Sequence, residues 1–437
     1  MKITIHRGIN QIGGCITEIA TEKVRIIIDL GQSLPDNEGN NYDPFDSKEA
    51  IEKLCNGVDA VFYTHYHGDH FGHFYSIPDK VKQYIGATAQ KIALRKYKQL
   101  SLIPDKKAEM ERAMEKIRKM LTFTDRNTIN IGDIKIKPFF VSHSAYDSYM
   151  FIIEAQGKRI VHTGDFRDHG FLSKKFYQAI DTRILSRGKV DLLITEGTMI
   201  SRLDEEVKTE WQIQSEAQEL MKKYKNVFVL CSSTDLERLA GFKKSVRLFK
   251  NRLLVGDGFQ KDILKIFTDE AAPKSQVWDF GKVYDFCKTN EKLVKKMIDY
   301  GFCMFVRPTQ KFEDYLNFLL PKLNPDETVL IYSMWKEYVN PANKAHRKEN
   351  YLELLSRFAN VKELHTSGHA SPKCLARVCN KINPEIGIIP IHSEYSENFR
   401  LLPLTENMKE KIITTSQNIG DIKLIITDSG VNGRKRS

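Results

Sequence analysis

The chain has 437 residues, of which 41% are hydrophobic and 28% are charged, a composition typical of a soluble globular protein. No run of about 18 apolar residues occurs, so we expect no membrane-spanning helix. The formal net charge of +11 favours an acidic partner such as a nucleic acid. A chain of this length is expected to hold more than one domain, because single cores stop growing at about 250–300 residues.

The N-terminal segment Met1-Lys-Ile-Thr-Ile-His6 predicts a strand and contains no apolar signal core. The seven cysteines are scattered and form no Cys-x-x-Cys pair. An odd, scattered set is typical of reduced thiols. We therefore expect a cytoplasmic protein.

Strands are predicted at residues 2–5, 15–20 and 24–29. Asp29 closes the third of these strands. It is either a hydrogen-bonding partner of the polar segment that follows or an ordinary turn carboxylate, and the sequence favours neither.

A short apolar strand at residues 61–63 leads directly into His65, His67, Asp69 and His70. Residues two apart in an extended segment point the same way, so His65 and His67 can bind one metal ion while Asp69 and His70 turn toward a second. The alternative is a surface histidine cluster, but the whole chain has only 12 histidines. His73, which follows, is interpreted as structural and is left out of the ligand set.

Three further polar residues follow predicted strands in the same way. His143 follows the strand at 134–141, Asp165 follows the strand at 159–162, and Glu196 ends a strand near 191–197. A lone histidine is usually a core residue, yet the nearby His-x-His-x-Asp-His run favours His143 as a ligand. His162 is expected to face the other side.

From residue 201 the pattern changes to alternating helices and strands: helices at 210–223, 235–249, 261–270 and 310–319, with strands at 226–231, 252–256, 303–306 and 328–333. This alternation predicts a parallel sheet with its own core. Polar residues after strands then return, with His369 and, after a strand at 386–391, His392. We predict a first domain in two parts, 1–200 and 361–437, interrupted by an inserted domain at 201–360.

Several motifs in this order resemble the metallo-β-lactamase superfamily and, within it, the β-CASP nuclease group and the ribonuclease J family. They are His65–His70, His143-Ser-Ala-Tyr-Asp-Ser148, His162-Thr-Gly-Asp165, Thr195-Glu-Gly-Thr198, Thr366-Ser-Gly-His-Ala370 and Pro390-Ile-His-Ser-Glu394. The resemblance implies an α/β fold: a metallo-β-lactamase αββα sandwich with an inserted α/β β-CASP domain.

The resemblance also implies residue roles. One metal ion would be held by His65, His67 and His143, and the other by Asp69, His70 and His392, with Asp165 bridging the two. Catalytic roles are implied for Asp69, for Glu196, which would orient a ligand histidine, and for His369, which would contact the scissile phosphate or leaving oxygen. Two divalent ions are expected, with Zn²⁺ favoured by the histidine-rich set and Mn²⁺ as the alternative. The family likeness at His392 favours RNA over DNA.

The insert offers candidate phosphate-binding residues at two strand ends: Ser232, Ser233, Thr234 and Ser333, beside His369 from the first domain. For the first three, ordinary helix N-capping is an equal alternative. The basic residues Arg238, Lys243, Lys244 and Arg247 either line an RNA channel or form a solvated helix face.

Three departures from ribonuclease J matter. That family usually continues into a C-terminal domain used in dimer assembly, so a monomer or weak dimer is expected here. Its Gly-Ser-Gln-Gly-Glu-like loop, which helps to hold a 5′ nucleotide, is replaced by Ser333-Met-Trp-Lys336, and the glycine after the last histidine is Ser393.

The sequence therefore predicts a two-metal phosphodiesterase acting on single-stranded RNA, as an endonuclease, a 5′-exonuclease or both. The alternatives are a metallohydrolase of small esters, thioesters or lactones, a DNA nuclease, and a non-catalytic RNA-binding subunit. The insert, His369 and His392 weigh against a small substrate, and the complete ligand set weighs against a non-catalytic subunit.

Overall fold

A computed structural model of the chain describes residues 1–35, 43–45, 47–273, 275–419 and 422–427, which form three β-sheets. The first sheet contains β1 (Lys2–Arg7), β2 (Ile16–Ala20), β3 (Arg25–Ile28), β4 (Ala60–Phe62), β5 (Lys82–Gly86) and β6 (Leu121–Phe123). The second contains β7 (Ile129–Ile131), β8 (Ile134–Val141), β9 (Ser148–Ala155), β10 (Lys158–His162) and β11 (Leu192–Glu196). The third contains β12 (Asn226–Cys231), β13 (Leu253–Gly256), β14 (Tyr284–Asp285), β15 (Phe302–Val306), β16 (Thr328–Ser333) and β17 (Val361–Glu363).

The C-terminal strands return to the first two sheets. β18 (Gly387–Ile391) pairs in parallel with β11, and β20 (Ile422–Ile426) pairs in parallel with β1 and antiparallel with β19 (Gln417–Ile419). Segments from both ends of the chain therefore share sheets, while the third sheet comes from the middle. The domain boundaries at 200 and 360 remain predictions.

The helices cover the outer faces of the sheets and surround the third sheet. In the first part of the chain they are α1 (Lys48–Leu54), α2 (Gly68–Phe71), α3 (Ala87–Leu100), α4 (Lys107–Lys119) and α5 (Phe176–Ala179). Around the third sheet they are α6 (Glu210–Lys223), α7 (Leu236–Val246), α8 (Gly258–Ala271), α9 (Glu291–Tyr300), α10 (Gln310–Leu319) and α11 (Glu349–Ser356). α12 (Pro372–Ile382) and α13 (Glu406–Glu410) follow.

The inner faces of the first two sheets bury one apolar core. Phe62 of β4 stacks on Tyr84 and meets Phe151 of β9 edge-on, with ring centroids 4.5 and 5.9 Å apart. The outer face of the first sheet packs on α3 and α4, and the outer face of the second packs on α12. This arrangement confirms the predicted αββα sandwich, because both sheets have one face on the shared core and one face under helices.

The third sheet is parallel throughout, as predicted, and the helices of the middle segment pack against it. Its central strand β12 is buried along its whole length, as strands covered on both faces must be. α7 ends at Val246 rather than at residue 249, and the prediction did not include α9 or α11. Among the residues described, we find no helix with both the length and the apolar character needed to cross a bilayer.

Candidate metal centre

The candidate site lies where several parallel strands end together. β8, β10, β11 and β18 all run in the same direction, because β9 is antiparallel to both β8 and β10 while β10, β11 and β18 pair in parallel. His143 and Asp165 lie two and three residues beyond β8 and β10, Glu196 ends β11, and His392 directly follows β18. The carboxyl ends of parallel strands meet at one sheet edge, so these side chains converge.

The His65–His70 segment approaches this edge from the first sheet. Ligand atoms of His65, His67 and His143 all lie within 4.8 Å of one another, and those of His65, His70 and Asp165 do the same. The structure thus brings together the three histidines that the sequence proposed for one ion.

Asp165 lies at the centre of the cluster. Its Oδ2 atom is close to nitrogens of five histidines: 3.1 Å from His70, 3.6 Å from His369, 3.8 Å from His143, 3.8 Å from His392 and 3.9 Å from His65. Asp69 closes the other side, with Oδ2 3.2 Å from Nε2 of His392 and 3.9 Å from Nε2 of His70. The residues proposed for the second ion therefore also meet, with Asp165 between the two sets.

Asp29 fixes the orientation of two of these histidines. Its carboxylate accepts hydrogen bonds from the backbone N–H and the hydroxyl of Thr64, both at 2.7 Å, and from Nδ1 of His70 at 2.8 Å. Since the hydroxyl of Thr64 donates to Asp29, it accepts from Nδ1 of His65 at 3.1 Å. Of the two roles left open for Asp29, the structure supports hydrogen bonding near the polar segment. Asp29 also adopts a left-handed φ of 59°.

Two other contacts fix further rings. Nδ1 of His143 donates to the carbonyl of Gly368 at 2.7 Å, and Oγ1 of Thr198 lies 2.7 Å from Nδ1 of His392. His392 itself has a left-handed φ of 52°, a conformation that a non-glycine residue rarely adopts away from functional sites. Histidines that bind metal commonly donate their second ring N–H in this way, which leaves the other nitrogen free for the ion.

The segment that follows Asp29 approaches the metal-ligand loop so closely that only glycine fits. A Cβ atom at Gly31 would lie 1.7 Å from the carbonyl oxygen of Asp69. The backbone N–H of Leu30 donates to the carbonyl of His70 at 2.8 Å. The loop carrying Asp69 and His70 is therefore held by backbone contacts as well as by Asp29.

The cluster has the properties of a metal site. Within the described part of the chain, the buried Nε2 atoms of His65 and His70 and Oδ1 of Asp165 have no hydrogen-bond partner. Burial lowers the pKa of His65 and His143 well below that of free histidine. Burial alone would raise the pKa of Asp165, but His392 and His70 outweigh it and hold this pKa well below its ordinary value. Burial alone would lower the pKa of His70, but Asp165, Asp29 and Asp69 outweigh it and raise this pKa, so His70 must release a proton when an ion binds. His65, His143 and Asp165 already have the neutral imidazole and carboxylate forms that bind divalent metal.

One side of the cluster remains accessible. His65, His70, His143, Asp165 and His392 are buried, whereas the side chains of Asp69 and His369 are 16% and 22% exposed. Among the described residues of the cluster, the half-buried His67, Asp69 and His369 therefore mark the side from which a substrate can reach it.

Glu196 holds His369. Its Oε1 accepts from the backbone N–H groups of Phe166 and Ala370 at 2.9 and 3.2 Å, and its Oε2 accepts from Nδ1 of His369 at 3.2 Å. The sequence predicted that Glu196 orients a metal-ligand histidine. In the structure Glu196 instead accepts a hydrogen bond from His369, which was not in the proposed ligand set.

The remaining sequence candidates lie elsewhere. His162 is near Thr17 (3.4 Å) and His73 contacts Asp43 (2.9 Å), in agreement with the roles expected for them. Neither belongs to the groups of potential metal ligands found among the described residues. Both histidines are therefore left to structural roles.

The proposed phosphate-binding hydroxyls are largely occupied within the protein. Ser333 is buried and its hydroxyl accepts from Arg238 at 2.6 Å. Thr234 is buried and its hydroxyl lies 3.3 Å from that of half-buried Ser232, while Ser233 is also half-buried. The N-cap of α7 is Asp235, not one of these residues. The alternative that they cap the helix is thus wrong.

Sequence reasoning missed several residues that shape the centre. Thr64 and Thr198 hold histidines, and although Thr198 lies in the Thr195–Thr198 motif, the sequence assigned neither hydroxyl a contact. Cys15 is a third example, with Sγ within 4.8 Å of ligand atoms of His70 and His392. Burial raises the pKa of the Cys15 thiol, so this thiol is neutral near pH 7.

The fold agrees with comparisons to known proteins. Residues 25–225 match the family model of the beta-lactamase superfamily domain. The crystal structure of a protein of unknown function from Enterococcus faecalis V583 superposes with a TM-score of 0.66 at 19% identity, covering 91% of this chain and 95% of that one. Residues 25–225 are thus similar to the beta-lactamase superfamily domain, and this likeness together with the clustered His and Asp residues supports a metal-dependent hydrolase.

Two relatives narrow the likeness to ribonuclease J. Ribonuclease J of Helicobacter pylori strain B128 is 22% identical over 408 residues, which cover 91% of this chain and 56% of that protein. The RNase J-like protein of Methanocaldococcus jannaschii is 30% identical over 203 residues, which cover 46% of this chain and 44% of that protein. The chain spans just over half the length of the Helicobacter relative.

Proposed function

We propose that this chain is a two-metal-dependent phosphodiesterase that cleaves single-stranded RNA. The observation that carries the proposal is the buried cluster in which Nε2 of His65 and Oδ1 of Asp165 make no hydrogen bond among the described residues, beside a partly exposed His369. The likeness to ribonuclease J adds the substrate class, and the net charge of +11 suits a polyanion.

The proposed ligand sets are those implied by the family resemblance, and the short distances among their members support them. His65, His67 and His143 would hold one divalent ion, Asp69, His70 and His392 would hold the other, and Asp165 would contact both. When bound, such ions neutralise charge on the phosphodiester and lower the pKa of water toward neutrality. The histidine-rich set favours Zn²⁺, with Mn²⁺ as the alternative.

His369 is the proposed proton donor or phosphate contact. Its Nδ1 donates to Glu196, which fixes the ring and directs its other nitrogen away from the carboxylate. Burial alone would lower the pKa of His369, but the carboxylates of Glu196 and Asp165 outweigh it and raise this pKa. A ring that keeps its proton near neutral pH can donate to the leaving oxygen or stabilise charge on the phosphate.

Whether cleavage is internal or proceeds from the 5′ end depends, in this proposal, on how the middle segment holds the 5′ nucleotide. Because the hydroxyl of Ser333 is engaged by Arg238, it is a poor candidate for holding a 5′ nucleotide in this conformation. We therefore keep both endonuclease and 5′-exonuclease action within the proposal. The cytoplasmic location and the monomer or weak dimer expected from the sequence remain predictions.

The test is cleavage of one uniform single-stranded RNA carrying a 5′ monophosphate, beside its DNA copy, by protein loaded with Zn²⁺ or Mn²⁺. We expect metal-dependent RNA cleavage that chelation abolishes and that exceeds DNA cleavage. Mononucleotides released from the 5′ end would indicate an exonuclease, and internal fragments an endonuclease. Turnover of a generic ester with intact RNA would contradict the proposal in favour of a small-molecule hydrolase, and equal cleavage of DNA would contradict the RNA assignment.

A further inference from the structure

The backbone just before His369 is held by side chains at three consecutive carbonyl groups, those of residues 366–368. The donors are Nη2 of Arg238 to Thr366 at 3.1 Å, Nε2 of His169 to Ser367 at 2.7 Å, and Nδ1 of His143 to Gly368 at 2.7 Å. Each carbonyl is thus fixed by a group from a different part of the chain, which sets the position from which the His369 side chain leaves the backbone.

Arg238 is held in turn by Glu210. Nε and Nη2 of Arg238 donate to the two carboxylate oxygens of Glu210 at 2.9 and 2.8 Å, while Nη1 donates to Ser333. Arg238 and Glu210 are both buried. A planar guanidinium paired with a carboxylate in this two-pronged way has little freedom to rotate, so its contact with the carbonyl of Thr366 is fixed in direction.

Glu210 also connects to the residues beside the metal centre. Nη1 of Arg167 donates to Glu210 at 3.0 Å, and Nη2 donates to Asp235 at 3.0 Å. Arg167 lies two residues after Asp165, and its backbone N–H donates to the carbonyl of Ser142 at 2.8 Å. Ser142 immediately precedes His143. We call Arg167, Glu210, Asp235, Glu237 and Arg238 the arginine–carboxylate cluster.

The members come from two parts of the chain. Glu210 and Arg238 lie on α6 and α7, which pack against the third sheet, whereas Arg167 belongs to the segment that carries Asp165. Residues 366–368 lie between the two. The cluster therefore joins the helices of the middle segment to the backbone that presents His369.

We propose that Arg238 and Glu210 are positioning residues for His369, acting through the carbonyl of Thr366. This inference rests on the proposed function, because its readout is RNA cleavage. Arg238 contacts Glu210, Ser333 and Thr366, none of which is a proposed metal ligand. Its role is to fix the backbone before His369. This keeps the His369 ring within hydrogen-bond distance of Glu196 and on the accessible side of the centre.

The test is a double-mutant cycle between Arg238→Lys and His369→Ala. Lysine keeps the charge but cannot pair with both oxygens of Glu210 and reach Thr366 at once. We expect R238K to lower kcat roughly tenfold with KM within about twofold of wild type, and bound metal per chain to be unchanged. In the His369→Ala background, R238K should cause no further loss of kcat, because the residue through which it acts is gone.

Arg112→Lys, the same change on the exposed face of α4, is the matched control and should leave kcat, KM and metal content unchanged. If R238K does not fold, Glu210→Gln replaces it in the double-mutant cycle. This change keeps the shape of the carboxylate but weakens its pairing with Arg238. An equal loss of kcat from either variant with and without His369 would overturn the positioning role. A wild-type protein that leaves RNA intact would instead overturn the proposed function.

Discussion

Two buried groups of charged residues lie side by side, and they differ in how completely they are paired. In the arginine–carboxylate cluster, the guanidinium of Arg167 bonds to Glu210 and Asp235, and that of Arg238 bonds to Glu210, Ser333 and Thr366. In the histidine–aspartate centre, by contrast, Nε2 of His65 and Oδ1 of Asp165 are buried and make no hydrogen bond among the described residues.

The difference separates stability from function. A buried charge that lacks a partner costs several kcal/mol, so a chain retains such atoms where a ligand will satisfy them. Paired groups hold neighbouring segments together, and unpaired groups await an ion. Burial and charge alone would not have distinguished the two.

The largest expected effect is at the centre itself. Asp165→Ala removes the carboxylate that lies between both ligand sets, so we expect loss of bound metal and a fall in RNA cleavage of at least about a thousandfold. Metal analysis of the purified protein together with the cleavage assay checks this. A variant that keeps full metal content and cleaves RNA would show that Asp165 does not hold the ions.

Arg167→Ala tests the paired group. It leaves three buried carboxylates without one of their cations, and removing one partner of a buried ion pair typically costs about 3–5 kcal/mol. We expect a clear drop in the urea midpoint of the metal-free protein. Asp165→Ala, measured in the same metal-free state, should lower the midpoint much less, and a larger drop for Asp165→Ala would contradict the comparison.

Asp29→Asn should weaken the centre without abolishing it. The asparagine side chain keeps its size but accepts fewer hydrogen bonds from Thr64 and His70, so the two rings are less firmly oriented. Changes to such supporting residues lower metal affinity by about 10- to 100-fold. Titration with a competing chelator measures this, and an unchanged affinity would mean that backbone contacts alone hold the loop.

The smallest expected effect is the loss at low pH of the stability that Glu210 contributes. Burial alone would raise the pKa of Glu210, but Arg238 and Arg167 outweigh it and lower the pKa to about 2. Since the folded pKa is below the unfolded value of about 4.5, the carboxylate stabilises the fold above that value and the contribution is lost as pH falls toward 2. The gap in urea midpoint between metal-free wild type and Glu210→Gln should therefore narrow between pH 5 and about 3. A constant gap would show that ionised Glu210 contributes nothing.

The sequence predicted the centre better than the cluster beside it. His65, His143, Asp165 and His392 each follow an apolar strand, and strand ends are visible in a sequence because the apolar run stops. The parallel third sheet followed from the alternation of such runs with helical segments, whereas the αββα sandwich was implied by the family resemblance. The proposed ligands could therefore be found one by one before their contacts were known.

Arg238 shows what the sequence could not reveal. On a helix with nearby lysines it suggested an RNA channel or a solvated face, yet it is buried against Glu210. Whether a charged residue on a helix is buried depends on partners far along the chain, and the residues themselves carry no sign of the pairing. For the same reason the contacts of Thr198 and of the Gly368 carbonyl with histidine rings were not predicted, although both residues lie in the motifs.

The pairing of β18 with β11 has a consequence for how the protein is made. His392 reaches the centre only when β18 joins the sheet, and in the chain β18 comes after the entire third sheet. Because domains form as the chain emerges from the ribosome, the His65–His70 segment is synthesised long before its last partner. Completion of the centre thus awaits synthesis of residue 392, and any product terminated before that residue lacks a finished site.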